Sequence, residues 1–255
     1  MGFGDSLQQA SALVVGASQG IGLGFVHHLL ADSRFDQVYA TYRDFNQAGE
    51  LLALAQTTAK LRLLELDVTD EGTVAAAIAN LQTQTPRLHL AIYSAGLLHD
   101  HHLQPEKSLL QVQPENLLRS FQVNAVGGVL LAKYLLPLFK HNYPSVYGVI
   151  SAKVGSIGDN RLGGWYGYRA SKAALNMLIK TAAVEYGRKS PHTILALLHP
   201  GTTDTRLSQP FQQGVPRDKL FPVPRTVAQL MTVINGLKPE DSGVFFNWDG
   251  QPLPW

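Results

Sequence analysis

Cysteine is absent from the 255 residues of the chain. Its absence excludes disulfide bonds, thiolate metal sites and a cysteine nucleophile, and it fits a reducing compartment. A large excess of charge is also missing, because 21 lysines and arginines face 19 aspartates and glutamates and leave a net charge of +2. The basic residues are scattered and form no stripe of the kind that binds nucleic acid. We therefore expect no nucleic-acid partner.

Long apolar runs are lacking as well. The richest one, residues 123–139, is interrupted by Lys133 and by two adjacent glycines, whereas a membrane span needs about 20 apolar residues. The first residues do not have the charged and apolar regions of a signal peptide. These observations predict a cytoplasmic protein without a membrane span.

One short segment combines residue types that bind metals, namely His99, Asp100, His101 and His102. Four neighbours in an extended loop do not converge easily on one ion, and this loop is expected to be exposed. We interpret it as a solvated loop bordering the substrate entrance, and we expect no metal site.

Apolar, β-rich runs alternate with segments of helical spacing along the chain. The predicted strands are residues 12–15, 38–42, 61–66, 88–93, 146–151, 194–199 and 244–246. The predicted helices are residues 21–30, 48–56, 74–81, 116–139, 166–186 and 226–235. Nearly continuous apolar strands are typical of a parallel sheet buried on both faces by helices. The pattern predicts one α/β domain over residues 1–255, with a flexible substrate loop at about 206–224, near the carboxyl ends of the strands.

A glycine-rich segment, Gly16-Ala17-Ser18-Gln19-Gly20-Ile21-Gly22, lies between the first predicted strand and the first predicted helix. Gly16 permits a sharp turn, Gly20 lets the backbone approach a pyrophosphate, and Gly22 allows the helix to pack tightly on the strand. The N–H groups and the helix dipole attract the anion. The segment therefore predicts dinucleotide binding by Gly16, Ser18, Gln19, Gly20, Ile21 and Gly22.

The ends of the next two strands bear on the choice of dinucleotide. NAD sites usually place an acid after the second strand, to bind the ribose 2′-hydroxyl, whereas this chain has Tyr42 and then Arg43. Arg43 suits a 2′-phosphate and predicts a preference for NADP(H) over NAD(H); the alternative is that it only solvates a loop. Asp67 and Val68 end the third strand and are candidates for the adenine, unless Asp67 caps the following helix, a position that Asp70 fits better.

Tyr168 and Lys172 lie four residues apart on a predicted helix and hence on one face of it. A phenol is normally inert at neutral pH. A nearby cation favours the phenolate, so we expect Lys172 to lower the pKa of Tyr168 and to make it a usable acid and base.

These motifs, in this order and spacing, resemble the short-chain dehydrogenase/reductase family over essentially the whole chain. Residues 15–22 are similar to its TGxxxGxG turn, with Val15 in place of threonine, and Tyr168 and Lys172 match its YxxxK pair. Asn124 matches the helix asparagine that holds a water in the family's proton relay. Further segments resemble cofactor contacts of the family: Ala95, Gly96, Pro200, Gly201, Thr203 and Thr205.

The resemblance implies a single-domain Rossmann fold with a doubly wound, seven-stranded parallel sheet. It also implies hydride transfer between a nicotinamide and a small carbonyl or alcohol substrate. Tyr168 would donate or accept the proton, Lys172 would hold the nicotinamide ribose, and Asn124 would position the relay water. The helix that carries Tyr168 often meets its partner in family dimers, so a homodimer or homotetramer is expected.

The chain departs from the family pattern at two points. The family serine that contacts the substrate oxygen corresponds to Ala152, and either Ser151 or Ser156 is a candidate to replace its hydroxyl. We list Ser151 among the candidate catalytic residues, although adjacent strand residues point to opposite faces. In addition, Tyr93 and Ser94 stand where the family commonly has two asparagines.

A narrower resemblance, carried by residues 155–157, 163–166 and 248–255, is to the branch that contains C-factor and the sniffer-type carbonyl reductases. Two functions follow. The first is an NADPH-dependent oxidoreductase that reduces a carbonyl or oxidises the alcohol, with Tyr168 as proton donor or acceptor. The alternative is a cofactor-binding signalling or regulatory protein with weak turnover or none, which Ala152 would permit. The joint presence of Tyr168, Lys172 and Asn124 favours the enzyme.

Overall fold

Apolar strands buried on both faces form the centre of the molecule. The structure is a computed structural model that describes residues 2–255. Over that range the strands are β1 (Ala10–Val15), β2 (Phe35–Tyr42), β3 (Leu61–Glu65), β4 (Leu90–Tyr93), β5 (Ser145–Ile150), β6 (Thr193–His199), β7 (Thr202–Thr203), β8 (Leu220–Phe221) and β9 (Phe245–Asn247). Seven of them pair in parallel in the order β3-β2-β1-β4-β5-β6-β9, which confirms the predicted sheet.

Helices cover both faces of this sheet. They are α1 (Gly20–Ala31), α2 (Gly49–Thr57), α3 (Glu71–Gln84), α4 (Pro114–Phe121), α5 (Gly127–Phe139), α6 (Tyr166–Lys189) and α7 (Val223–Gly236). Alternate residues of β1 point to opposite faces. Ala12 and Val14 join the core beneath α1 and α7, while Leu13 and Val15 join the core beneath α3, α5 and α6. The chain is therefore a single α/β domain with a doubly wound sheet, as predicted.

The order of the strands reverses between β1 and β4. β2 and β3 extend the sheet on one side of β1, whereas β4, β5, β6 and β9 extend it on the other. In sheets of this kind, ligands bind in the crevice that opens at the carboxyl ends of the strands at such a reversal. Val15 and Tyr93, the last residues of β1 and β4, are paired, so the turns that follow them lie side by side.

The predicted helix over residues 116–139 is not continuous, because a π-helical turn over Gln122–Val126 separates α4 from α5. The Tyr93 hydroxyl donates a hydrogen bond to the Val123 carbonyl oxygen at 2.5 Å. Gly127 leaves room for the Tyr93 ring, since a Cβ there would lie 2.5 Å from the hydroxyl. A side chain inserted in this way widens a helical turn, and hydrophobic spacing does not reveal it.

By length and composition alone, Pro114–Phe139 is the one helical stretch among residues 2–255 that could cross a membrane. Core helices of globular proteins pass the same test, and 44% of its apolar window is buried inside the protein. Leu131, Leu135 and Leu138 pack in the core between the sheet and its covering helices. We therefore interpret the stretch as a core helix.

The predicted substrate loop, 206–224, contains local structure. It has 3₁₀ turns at Gln209–Phe211 and Arg217–Lys219, and its β8 pairs with β7. α7 begins at Val223, inside the predicted loop. The flexibility of this segment stays a prediction.

Candidate active site

In the glycine turn between β1 and α1, the Gly16 and Ala17 N–H groups donate to Thr41, whereas the first N–H groups of α1 have no partner within the helix. Gly16 has a left-handed φ of 78°, which glycine adopts without strain. A Cβ at Gly22 would lie 2.1 Å from the Gly16 carbonyl oxygen, so a side chain there would prevent α1 from starting so close to β1. Gln19, at the N-cap of α1, makes no side-chain cap, which leaves the first N–H groups of the helix to an anion. This cradle fits the phosphates of a dinucleotide.

Two other predicted cofactor segments lie against this turn. A Cβ at Gly16 would lie 2.7 Å from the Ala95 nitrogen, just beyond β4, and one at Gly20 would lie 3.3 Å from a methyl carbon of Thr205. The structure therefore brings Gly16, Gly20, Ala95 and Thr205 to one edge of the sheet.

The residues after β6 contribute to this edge in different ways. Gly201 has a φ of 72°, and a Cβ on it would lie 2.7 Å from the Phe221 ring, so the chain turns sharply after Pro200. Thr203 is buried, and its hydroxyl shares a 2.9 Å hydrogen bond with a threonine of α7. Thr203 thus supports the segment from behind, whereas Thr205 reaches the glycine turn.

The end of β2 carries an available cation. Arg43 is exposed and makes no hydrogen bond or ion pair with the rest of residues 2–255. The acid that follows it, Asp44, accepts hydrogen bonds from the Asn46 backbone N–H at 2.9 Å and from the Gln47 amide at 2.8 Å. Because these local bonds occupy Asp44, Arg43 is the charged group at this position that is free to meet a ligand.

Of the two roles predicted for Asp67, contact with the adenine and the N-cap of α3, the structure excludes the N-cap. Asp70 is the N-cap of α3 and accepts from the Gly72 N–H at 2.8 Å, so Asp67 is not the cap. One carboxylate oxygen of Asp67 accepts from the backbone N–H and the hydroxyl of Thr69, at 2.9 and 2.8 Å. These bonds fix the turn that presents Asp67 and Val68 after β3.

Tyr168 and Lys172 lie in the first two turns of α6, on one face as predicted. The Lys172 ammonium is buried, donates to the Ile150 carbonyl oxygen at 2.9 Å, and lies 5.8 Å from the centre of the Tyr168 ring. Burial lowers the pKa of Lys172 to about 8 and raises the pKa of Tyr168 to about 12. The predicted lowering of the Tyr168 pKa is therefore wrong for the protein alone, because burial raises this pKa and the Lys172 ammonium is directed at Ile150.

Asn124 lies in the π-turn and is fully buried. Its amide donates to the Leu97 carbonyl at 2.8 Å and to the Ser171 hydroxyl at 3.0 Å, and its oxygen accepts from the Leu97 N–H at 2.7 Å. Ser171 in turn donates to the Tyr168 carbonyl at 2.8 Å. A Cβ at Gly96 would lie 3.8 Å from the Asn124 amide oxygen and 4.0 Å from the Lys172 ammonium. Asn124 and Lys172, two of the predicted catalytic residues, thus meet at Gly96.

The two candidate serines differ in what their hydroxyls do. Ser151 is buried and donates to the Asn176 amide oxygen at 2.6 Å. Asn176 lies one turn after Lys172 on the same face of α6, and sequence analysis missed it although the four-residue spacing continues. Ser156 is also buried, and its oxygen accepts from the Asp159 N–H at 3.2 Å. The proton of Ser151 is therefore committed to Asn176.

A chain of aromatic contacts runs from Tyr168 through Trp165 and Phe211 to His99. The Trp165 ring meets the Tyr168 ring edge-on at 6.2 Å and the Phe211 ring at 5.0 Å. His99 contacts Phe211 at 5.6 Å and hydrogen-bonds to the Leu207 carbonyl oxygen at 3.1 Å. The predicted substrate loop therefore packs against the start of α6.

Sequence analysis interprets residues 99–102 as a solvated loop and not as a metal site. In the structure, Asp100 of this segment makes other contacts. Asp100 forms an ion pair with Arg119 of α4 and accepts from the His102 and Leu103 N–H groups at 2.8 and 2.9 Å. No group of three or more metal-ligand side chains suited to an ion occurs in the described part of the chain.

A phosphate-binding turn at a strand reversal, next to a tyrosine, a buried lysine and a buried asparagine, defines an oxidoreductase of the nicotinamide-dependent Rossmann class. The model of the short chain dehydrogenase family matches residues 10–215. The chain belongs to that family.

Individual relatives confirm the resemblance to the predicted branch. The C-signal protein of Myxococcus xanthus is 33% identical over 148 residues, which cover 58% of this chain and 84% of that protein. Among solved structures, the NADPH-bound carbonyl reductase from chicken fatty liver has a TM-score of 0.87 and 31% identity, covering 98% of this chain and 100% of that chain. The carbonyl reductase Sniffer of D. melanogaster has a TM-score of 0.85 and 27% identity, covering 97% and 100%.

The burial of Lys172 makes stability depend on pH. In the folded protein Lys172 loses its proton at about pH 8, whereas the unfolded chain keeps it to about 10.5, so the unfolded state binds more protons between these values. The free energy of unfolding contributed by Lys172 therefore rises with pH in that window, by on the order of 3 kcal/mol. Urea denaturation of Lys172→Met should show an advantage over the wild type below pH 8 that shrinks toward pH 10.5.

Lys140→Met, at an exposed lysine, is the matched control and should differ from the wild type by the same amount at every pH. A constant difference for Lys172→Met as well would contradict the buried ammonium.

Proposed function

We propose that the chain is an NADPH-dependent carbonyl reductase, which also oxidises the corresponding alcohol. The observation that carries the proposal is the convergence of Lys172, Asn124 and Gly96 beside Tyr168, at the same sheet edge as the glycine turn. NADPH supplies the hydride when it is bound. The carbonyl reductase from chicken fatty liver, similar over its whole length, is described as bound to NADPH.

The protein's own contribution is proton transfer and positioning. With a pKa raised to about 12, Tyr168 is a protonated phenol at neutral pH and is ready to donate to a carbonyl oxygen. Lys172, next to Gly96 and to the ring of Tyr168, would hold the nicotinamide ribose. Asn124 fixes the backbone at Leu97 beside them and would position the relay water.

The substrate oxygen needs a second donor, because Ala152 has none. We assign this role to Ser156, since its proton is not committed to any residue between 2 and 255, whereas Ser151 donates to Asn176. The ring surfaces of Trp165 and Phe211 favour a substrate with an apolar or aromatic body next to its carbonyl group.

We further propose a cytoplasmic homodimer or homotetramer. Ala170, Met177 and Val184 recur every seven residues on α6 and are all exposed, so they form an apolar stripe that nothing in the described chain covers. The absence of cysteine fits a reducing compartment. Sedimentation equilibrium of the purified protein measures the stoichiometry.

Tyr168→Phe removes the proposed proton donor and keeps the ring. Turnover of NADPH with a panel of aldehydes, ketones and diketones should fall at least 100-fold, while the Kd for NADPH changes less than about 3-fold. Tyr134→Phe, at a surface tyrosine of α5, is the control and should keep full activity. Persistent turnover in Tyr168→Phe would remove Tyr168 from the chemistry, and NADPH binding without any wild-type turnover would favour the signalling alternative.

Alanine variants distinguish the proposed roles of Ser151 and Ser156. Ser156→Ala should lower kcat/KM for carbonyl reduction about 10-fold, because a donor to the substrate oxygen is lost. Ser151→Ala should leave kcat/KM within about 2-fold and lower the free energy of unfolding by about 1–2 kcal/mol, because the buried Asn176 loses its donor. The reverse pattern would assign the catalytic hydroxyl to Ser151.

Arg43→Ala tests the cofactor preference. The Kd for NADPH should rise at least 10-fold while the Kd for NADH changes less than about 2-fold, because only NADPH carries the 2′-phosphate. Arg62→Ala, at an exposed arginine on the neighbouring strand β3, is the matched control and should change neither value. Equal losses for both cofactors would separate Arg43 from the 2′-phosphate.

A further inference from the structure

The helix that carries Tyr168 begins without a cap of its own. Tyr168 is the third residue of α6, in the turn where backbone N–H groups have no partner within the helix. The N-cap is Trp165, which has a left-handed φ of 53° and makes no side-chain cap, and Gly163 and Gly164 before it also have positive φ. Another segment must therefore hold this turn if Tyr168 is to keep one position.

Glu106, in the loop between β4 and α4, meets the start of α6. Its carbonyl oxygen accepts from the Trp165 N–H at 2.5 Å, and its carboxyl oxygen Oε2 accepts from the Gly167 N–H at 3.1 Å. The other carboxyl oxygen, Oε1, also faces this turn, since a Cβ at Gly167 would lie 3.0 Å from it. One residue from a distant loop thus satisfies two N–H groups beside Tyr168.

Glu106 is 5% exposed, and its carboxyl group forms no ion pair with a lysine, arginine or histidine in the described chain. Burying an acidic group without a cation is unfavourable unless hydrogen bonds and a helix N-terminus compensate it. Here that compensation comes from α6. The start of α6 therefore stabilises the buried carboxyl group of Glu106, and Glu106 supplies hydrogen-bond acceptors to the start of α6.

A second set of hydrogen bonds, made by Arg169, also fixes the start of α6. The Arg169 guanidinium donates to the carbonyl oxygens of Gly163 and Gly164, at 3.2 and 2.9 Å, and to that of Val154 at 3.3 Å. Tyr168 lies between Gly167, which Glu106 holds, and Arg169, which ties down the preceding loop.

We propose that Glu106 is a positioning residue for proton transfer: by capping α6 at Gly167 it holds the Tyr168 phenol where the substrate carbonyl is reduced. The proposal rests on the proposed reductase function. Misplacing a catalytic group by about 1 Å can cost about 100-fold in rate, so loss of the cap acts on the reaction and not on cofactor affinity. Glu106 itself touches no reacting atom.

Three variants test this assignment. Glu106→Ala removes the acceptor and should lower kcat at saturating NADPH 10- to 100-fold, with the Kd for NADPH within about 2-fold of the wild type. Glu106→Gln keeps an acceptor oxygen and should restore kcat to within about 3-fold. Asp70→Ala removes the comparable cap of α3, where Gly72 is the donor, and should lower the Tm while leaving kcat unchanged.

A readout that does not need turnover accompanies the kinetics. Hydrogen exchange of the backbone amides over residues 165–169, measured on the whole protein with NADPH, should be faster in Glu106→Ala and close to wild type in Glu106→Gln. Unchanged kcat in Glu106→Ala, a kcat loss in Asp70→Ala of the same size, or a kcat loss matched by weaker NADPH binding would each overturn the proposal. Absence of wild-type turnover would count against the proposed function instead, and the exchange rates alone would then decide whether Glu106 orders this turn.

Discussion

The Tyr93 hydroxyl donates to the Val123 carbonyl where the helical stretch 114–139 widens into a π-turn, and the part of the site that contains Asn124 depends on that contact. The widened turn places Asn124 against the backbone of Leu97 instead of in a regular helical position. From Asn124 the hydrogen bonds continue through Ser171 to the Tyr168 carbonyl oxygen. Without the π-turn, the segment after β4 and helix α6 would lose the chain of hydrogen bonds that joins them.

Tyr93 also accounts for one departure from the family pattern. The family commonly has an asparagine at this position. Here the tyrosine ring fills the space above Gly127, and its hydroxyl reaches the π-turn directly. The long side chain of Tyr93 in β4 thus supports the helix at the π-turn. Burial of that hydroxyl raises the pKa of Tyr93, so it remains a donor throughout the neutral range.

Sequence patterns predicted what depends on neighbours along the chain. All seven sheet strands follow from apolar runs, and the glycine turn and the pair Tyr168 and Lys172 follow from local spacing. The π-turn, Asn176 and Glu106 were missed because each depends on a partner from another element: Glu106 and Gly167 are 61 residues apart, and Tyr93 and Val123 are 30 apart. The direction of the Tyr168 pKa was wrong for the same reason, since spacing shows the cation but not the burial.

The loop between β4 and α4 connects Asn124, the predicted substrate loop and the start of α6. Leu97 is bonded to Asn124 at one end of the loop, and Glu106 is bonded to α6 at the other. Between them, His99 hydrogen-bonds to Leu207 in the substrate loop, and the ion pair of Asp100 anchors the segment to α4. A displacement of the substrate loop at Leu207 therefore acts on the same short segment that caps the catalytic helix. The hydrogen bonds of Leu97 and Glu106 hold the two ends of this loop, while His99 in its middle contacts Phe211 of the substrate loop.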